Sequence, residues 1–177
     1  MRSPSPSAGK LTARETCVLA MMGALIFAAK EALYALPNVN LNAVLIILAT
    51  VFFGWRALYS VAVYVLLEGL INNSNGFMLW WIGYVYVWPL LVCIAMLFRK
   101  NDSVIVWAVI AAVYGLLFGP LMYLEYFAIN GGWEMFFTMW VNGIPFDLIH
   151  CGSNFVTTLV LFKPLSSVMK KCLGQRT

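Results

Sequence analysis

The sequence predicts an all-α integral membrane protein, a compact bundle of six transmembrane helices with both termini in the cytoplasm. Three observations predict it. Of the 177 residues, 63% are of the types AVILMFWYC and only 10% are charged. A soluble domain this small exposes too much surface to be covered by so few charged groups, and a disordered chain needs the opposite balance. The apolar residues lie in long runs, and about 20 of them cross a bilayer as a helix. The bases fall between those runs in an order that puts nearly all of them on one side.

Residues 1–13, with Ser-Pro repeats and Arg2 and Lys10, read as a disordered cytoplasmic tail; 14–171 read as one membrane domain and 172–177 as a second tail. The first run, 16–36, stops at Pro37, which cannot continue a helix. The second, 41–71, has Arg56 in its middle and reads as one long span or as two short ones turning at Gly54-Trp55-Arg56. The excess of Lys and Arg in cytoplasmic loops decides between them. With a hairpin, Arg2, Lys10, Arg14, Arg56, Arg99, Lys100, Lys163, Lys170, Lys171 and Arg176 share one side, and only Lys30 lies opposite. The fourth span covers 78–98 and the fifth 103–126, with Gly115, Gly119 and Pro120 predicting a kink or close packing. Asn130-Gly131-Gly132 reads as a turn. The sixth span covers 135–162, is expected to break near Gly143-Ile144-Pro145, and is expected to end at Lys163-Pro164 before a short basic tail. Glu31, Glu68, Glu125 and Glu134 fall at or near the outer ends, whereas Asp147 lies at membrane depth and has to face the interior.

The composition excludes several functions. There is no phosphate-binding loop and no dinucleotide fingerprint. The net charge of +4 is not clustered as a nucleic-acid surface would be. Cys17, Cys93, Cys151 and Cys172 are too scattered for a zinc site or a disulfide framework.

Four constellations remain. Trp81, Tyr84 and Trp88 share a helical face, reading either as an interfacial belt or as a stacking wall for a flat ligand, with Trp133 and Trp140 as contributors. Asn142, Asp147, His150 and Asn154 form a polar stripe on the sixth span. Such groups do not face lipid, so they form either a packing network or the floor of a pocket. Ser153 beside them invites a catalytic triad, but groups on one rigid helix seldom point at one another as a triad requires. Ala20, Ala24 and Ala28 let another helix approach closely, inside the bundle or from a partner. The uncharged loop 72–77 reads as a lid or as a plain turn.

Over residues 11–171 the order of motifs resembles the substrate-binding S component of energy-coupling factor (ECF) vitamin transporters. The resemblance rests on the Ala-x-x-x-Ala repeat, Leu36-Pro37-Asn38-Val39-Asn40, Phe53-Gly54-Trp55-Arg56, Leu67-Glu68-Gly69-Leu70 and Gly76-Phe77-Met78-Leu79-Trp80-Trp81. Its most specific part is Gly143-Ile144-Pro145-Phe146-Asp147-Leu148-Ile149-His150, followed by Ser153-Asn154-Phe155 and Phe162-Lys163-Pro164-Leu165. It implies a non-enzymatic capture subunit in the cell membrane that takes a vitamin or precursor from outside. The implied partners are a transmembrane coupling protein and two ABC-type ATPases, with Ala20, Ala24 and Ala28 meeting the coupling protein. No nucleic acid and no cofactor are expected, the vitamin being cargo.

On chemistry, Trp81, Tyr84 and Trp88 would stack on the ligand; Glu125, Asn142, Asp147 and His150 would orient it; Asn38 and Trp133 would touch it from loops. The rival expectations are a small intramembrane enzyme using Asp147, His150 and Glu125, and a structural subunit without ligand. The substrate is not specified: pyrimidine, pyridine, flavin, pterin, corrinoid and pantothenate-like molecules all remain.

Overall fold

The structure is a computed structural model and describes residues 11–72, 78–128 and 132–174. Residues 1–10 of the predicted 1–13 tail, 73–77 of the predicted 72–77 loop, the Trp80 side chain and Asn130-Gly131 of the predicted turn lie outside the described residues. Every regular element described is helical: α1 (Ala13–Ala32), α2 (Asn42–Phe53), a single 3-10 turn (Gly54–Arg56), α3 (Ala57–Ile71), α4 (Met78–Leu97), α5 (Val104–Tyr126) and α6 (Gly132–Cys172).

A reciprocal cap starts α1. The Thr12 hydroxyl accepts from the Glu15 N–H at 3.2 Å, and the Glu15 carboxylate accepts from the Thr12 N–H at 2.9 Å. This satisfies donors that the first helical turn leaves free. Between α2 and α3 the chain breaks at Gly54, whose φ of +62° is open to glycine and strained for other residues. The chain then folds back: the Asn42 amide donates to the Tyr64 hydroxyl at 2.8 Å. In an unbroken helix those residues, 22 positions apart, would be separated by about 33 Å. The 42–71 run is therefore a hairpin.

Hydrogen bonds set the direction of each helix. Arg56 donates to Glu15, the Ser60 hydroxyl to the Leu19 carbonyl, and the Asn72 amide to Glu31, each pair 41 positions apart. A constant offset means that α1 and α3 run parallel in one register. Gly23 makes this contact possible, since a Cβ there would lie 2.5 Å from the Ser60 carbonyl oxygen and 2.7 Å from the Val63 Cβ. Trp81 near the start of α4 donates to the Val65 carbonyl near the end of α3. Arg99 beyond the end of α4 donates to the Val51 and Phe52 carbonyls at the end of α2. On α4 and α5, Gly83 faces Glu125 and Tyr86 reaches the Leu121 carbonyl; on α5 and α6, Gly119 faces Asp147 and Gly115 faces His150. Consecutive helices thus run in opposite directions. One end of the bundle gathers Glu15, Arg56 and Arg99, and the other gathers Lys30, Glu68 and Trp81.

The core lies between α2 and its neighbours: from Ala43 to Ala49 every residue of α2 is buried. A helix that is apolar all round belongs at the centre of a bundle.

Two expectations for the last helix are corrected. α6 does not break at Pro145 and does not end at Pro164, but runs as one helix of 41 residues through both prolines. Each proline removes one N–H and bends the helix; the long packing face against α5 carries it through Pro145, and Leu165 and Met169 still pack on the core beyond Pro164. At 1.5 Å per residue α6 is about 61 Å long, roughly twice the hydrocarbon thickness of about 30 Å.

By length and composition three described segments could cross a membrane: 42–71 when its two arms are taken as one run, Val104–Tyr126 and Gly132–Cys172, with Trp81–Leu97 apolar but shorter. Folded as a hairpin, 42–71 offers arms of 12 and 15 residues, short of the about 20 of a full span. α1 is not among them, because Arg14, Glu15, Lys30 and Glu31 crowd its 20 residues.

Candidate functional site

The site begins with the buried face of α6. Phe136, Gly143, Asp147, His150, Asn154, Thr158 and Phe162 are its buried positions, spaced by three, four or seven residues as one side of a helix requires. Glycines on the facing surfaces let α5 approach. A Cβ at Gly119 would lie 2.4 Å from an Asp147 oxygen, one at Gly115 2.8 Å from the His150 carbonyl oxygen, and one at Gly143 2.6 Å from the Tyr123 hydroxyl.

Asp147 Oδ1 accepts from the Gly119 N–H at 3.0 Å. Pro120 follows Gly119 directly. Asn154 donates to the Ala111 carbonyl at 3.2 Å. His150 is 2% exposed; its Nε2 lies 3.3 Å from the Asn40 amide nitrogen, and its ring stands edge-on to Phe118 at 4.8 Å.

Phe118 joins this polar face to a group of rings from α3, α4 and its own helix α5. It lies 5.2 Å from Trp88 and 6.4 Å from Tyr84, centroid to centroid. Tyr84 and Trp88 meet edge-on at 5.7 Å, and Tyr64 lies 6.0 Å from one and 5.8 Å from the other. Tyr114 closes the group beneath Trp88 and donates its hydroxyl to the Val87 carbonyl. Such offset and edge-on contacts add about 0.5–1.5 kcal/mol each beyond burial. Lys30 sits above, with its ammonium 5.6 Å from the Tyr84 ring centre and bonded to both Glu68 oxygens at 2.7 and 2.6 Å.

Several buried polar atoms around these rings have no hydrogen-bond partner: Trp88 Nε1, His150 Nδ1, Asn42 Oδ1, Asp147 Oδ2 and Asn154 Oδ1. Glu125 belongs with them. It is buried between α4 and α5, neither oxygen meets a donor at full hydrogen-bond geometry, and the Gly83 backbone is the donor that approaches it. Buried polar groups normally find partners, and leaving one unpaired costs about 1–3 kcal/mol. These atoms are the groups around the rings that still call for a hydrogen-bond partner.

The expected site residues do not all come together. Tyr84, Trp88 and His150 come together in the ring cluster, and Asp147 and Glu125 flank it along α5. Trp81 stands at its edge, half-buried, with its indole N–H committed to Val65. Asn142 and Trp133 stand apart. Asn142 is exposed, and the expectation that it shares the interior stripe is corrected. It lies five positions before Asp147, which at 100° per residue turns it well off the buried face. Trp133 is 59% exposed and packs instead with Phe127, Phe136 and Phe137 at the α5–α6 junction. Asn38 lies in the α1–α2 connection with a left-handed φ of 58°, shaping that loop. Ala20, Ala24 and Ala28 are all exposed, so they do not pack inside this bundle.

Sequence reasoning missed Asn40, Asn42, Tyr64 and Phe118. One signal was present: Asn42 opens an otherwise apolar run, and an amide there needs an internal partner. Among the described residues no group of three or more His, Cys, Asp or Glu side chains could hold a metal ion. A scan against protein-family models and searches of curated proteins and of solved structures return no match.

Proposed function

We propose that this chain is the substrate-capture subunit of an ECF-type importer. It would cross the membrane six times with both termini in the cytoplasm, bind a ring-bearing vitamin or precursor from outside, and deliver it with a separate coupling and ATPase module. The observation that carries this reading is the ring cluster of Tyr64, Tyr84, Trp88 and Phe118, bordered by buried polar atoms with nothing to bind. Apolar walls with a few placed polar groups are the usual make-up of a small-molecule site.

Two further features support it. The exposed Ala20, Ala24 and Ala28 give α1 a smooth outer face suited to close approach by a partner helix. Asp147 is bonded to the Gly119 backbone and His150 faces Asn40, contacts that suit groups placed to bind rather than to act on one another.

The test is heat denaturation of the detergent-purified protein against a vitamin panel, with mass spectrometry of small molecules carried through purification. A ligand at 100 times its dissociation constant adds about 2.7 kcal/mol of stability. A rise in melting temperature with one compound supports capture. No shift with any compound, together with no co-purified molecule, removes the reading.

A further inference from the structure

The orientation of one amide fixes the chemistry of the sole histidine. Asn40 Oδ1 accepts from the Asn42 N–H at 3.1 Å, at the entry to α2. That bond needs an oxygen, so the amide cannot be turned over without losing it. The nitrogen of the amide then faces His150 Nε2 at 3.3 Å. An amide nitrogen only donates, so Nε2 must accept, and an accepting Nε2 carries no proton. In the neutral ring the proton sits on Nδ1, and Nδ1 is buried without a partner.

We propose that Asn40 holds His150 as its Nδ1–H tautomer, and that this N–H is the donor offered to an acceptor atom, a ring nitrogen or carbonyl oxygen, of the captured molecule. The inference rests on the capture reading and adds to it a chemical requirement. Most unpaired atoms around the cluster, the Asn42, Asp147 and Asn154 oxygens, are acceptors and ask for donors on the ligand. Nδ1–H and the Trp88 indole N–H ask for the reverse. The substrate class is then a flat heterocycle that carries both kinds of group on its edge. Asn40 is a positioning residue, since it acts through the imidazole.

The chain has a single histidine, so protein labelled at the histidine ring nitrogens gives the NMR spectrum of His150 alone. The expected spectrum of the ligand-free protein in detergent shows a protonated Nδ1 and a lone-pair Nε2; a protonated Nε2 overturns the proposal. Asn40→Asp keeps the acceptor for the Asn42 N–H but loses the donor, and a carboxylate beside Nε2 demands a proton there. Nε2 should become protonated in that variant, and an unchanged Nε2 signal refutes the role of Asn40.

Thiamine, riboflavin, pyridoxine and folate are then added in turn. With whichever of them raises the melting temperature, the Nδ1 resonance should move, and His150→Phe, which keeps a ring against Phe118, should weaken binding about tenfold. Binding that leaves Nδ1 and affinity unmoved sinks this inference while the capture reading stands. No binding by any compound, and none co-purified, sinks the capture reading and the donor role with it, leaving the tautomer to be judged on the ligand-free spectrum.

Discussion

Asp147 illustrates how one side chain joins packing to the site. Its Oδ1 is held by the Gly119 N–H, and its Oδ2 has no partner. Asp147→Ala would leave the Gly119 N–H without an acceptor and open a gap against a glycine face, costing about 1–3 kcal/mol. Asp147→Asn keeps an acceptor for Gly119 and should cost clearly less. Melting temperatures of the two variants in the same detergent check this; equal losses would mean that the hydrogen bond contributes nothing. Glu15 gives a prediction in pH. Hydrogen bonds from Thr12, and then the Arg56 charge, hold its carboxyl below the ordinary glutamate value. A carboxyl depressed in the folded state stabilises fully above the unfolded value, and that contribution fades as pH falls through the folded one. The gap in melting temperature between the wild type and Glu15→Gln should therefore be widest near neutrality and close on acidification below the ordinary glutamate range. A gap independent of pH would mean that its charge has no part in fixing the start of α1.

Helices α1 and α3 offer the cleanest contrast between two small-residue faces. Gly23 points at α3, where an added Cβ would strike the Ser60 carbonyl oxygen and Val63; backbone cannot step aside as a side-chain tip can. Gly23→Ala should therefore separate the two helices and cost about 1–3 kcal/mol, as overpacked contacts do. Ala24, one position on, is exposed. Ala24→Trp should leave melting temperature and the affinity for any ligand found unchanged while abolishing co-purification with the proposed coupling protein. If Ala24→Trp lowers stability as much as Gly23→Ala, the alanine face is not a docking surface. Much at this scale was legible in the sequence. Arg56 within an apolar run left one span or two, and the side on which the other bases then fall pointed to the hairpin; the i, i+3, i+7 spacing of Trp81, Tyr84 and Trp88 put them on one side of α4. The continuity of α6 through Pro145 was not legible, because a proline signals a bend while a packed neighbour decides whether the helix survives it. Nor was the pairing of Asn40 with His150, 110 positions apart, which depends on how α2 meets α6 and on no local pattern.

The whole molecule has two unlike ends. Arg56 and Arg99 cluster at one, tied to Glu15 and to the carbonyls closing α2. At the other, Lys30 is neutralised by Glu68, with Glu31 4.0 Å away, so that end carries no comparable excess of positive charge. The ring cluster leans toward the second end, since Lys30 covers Tyr84. Basic segments are retained in the cytoplasm, so the proposed orientation puts the Arg end inside and the end nearer the ring cluster outside. Leu36 and Lys100 are both exposed and belong to opposite ends, which makes them reporters. With Cys17, Cys93, Cys151 and Cys172 replaced, Leu36→Cys should react with a membrane-impermeant maleimide on intact cells, and Lys100→Cys should react only after the cells are opened. The reverse pattern would turn the cluster toward the cytoplasm. Capture from outside would then fail even if a vitamin binds, because the end nearer the rings and unpaired polar atoms would face the wrong compartment.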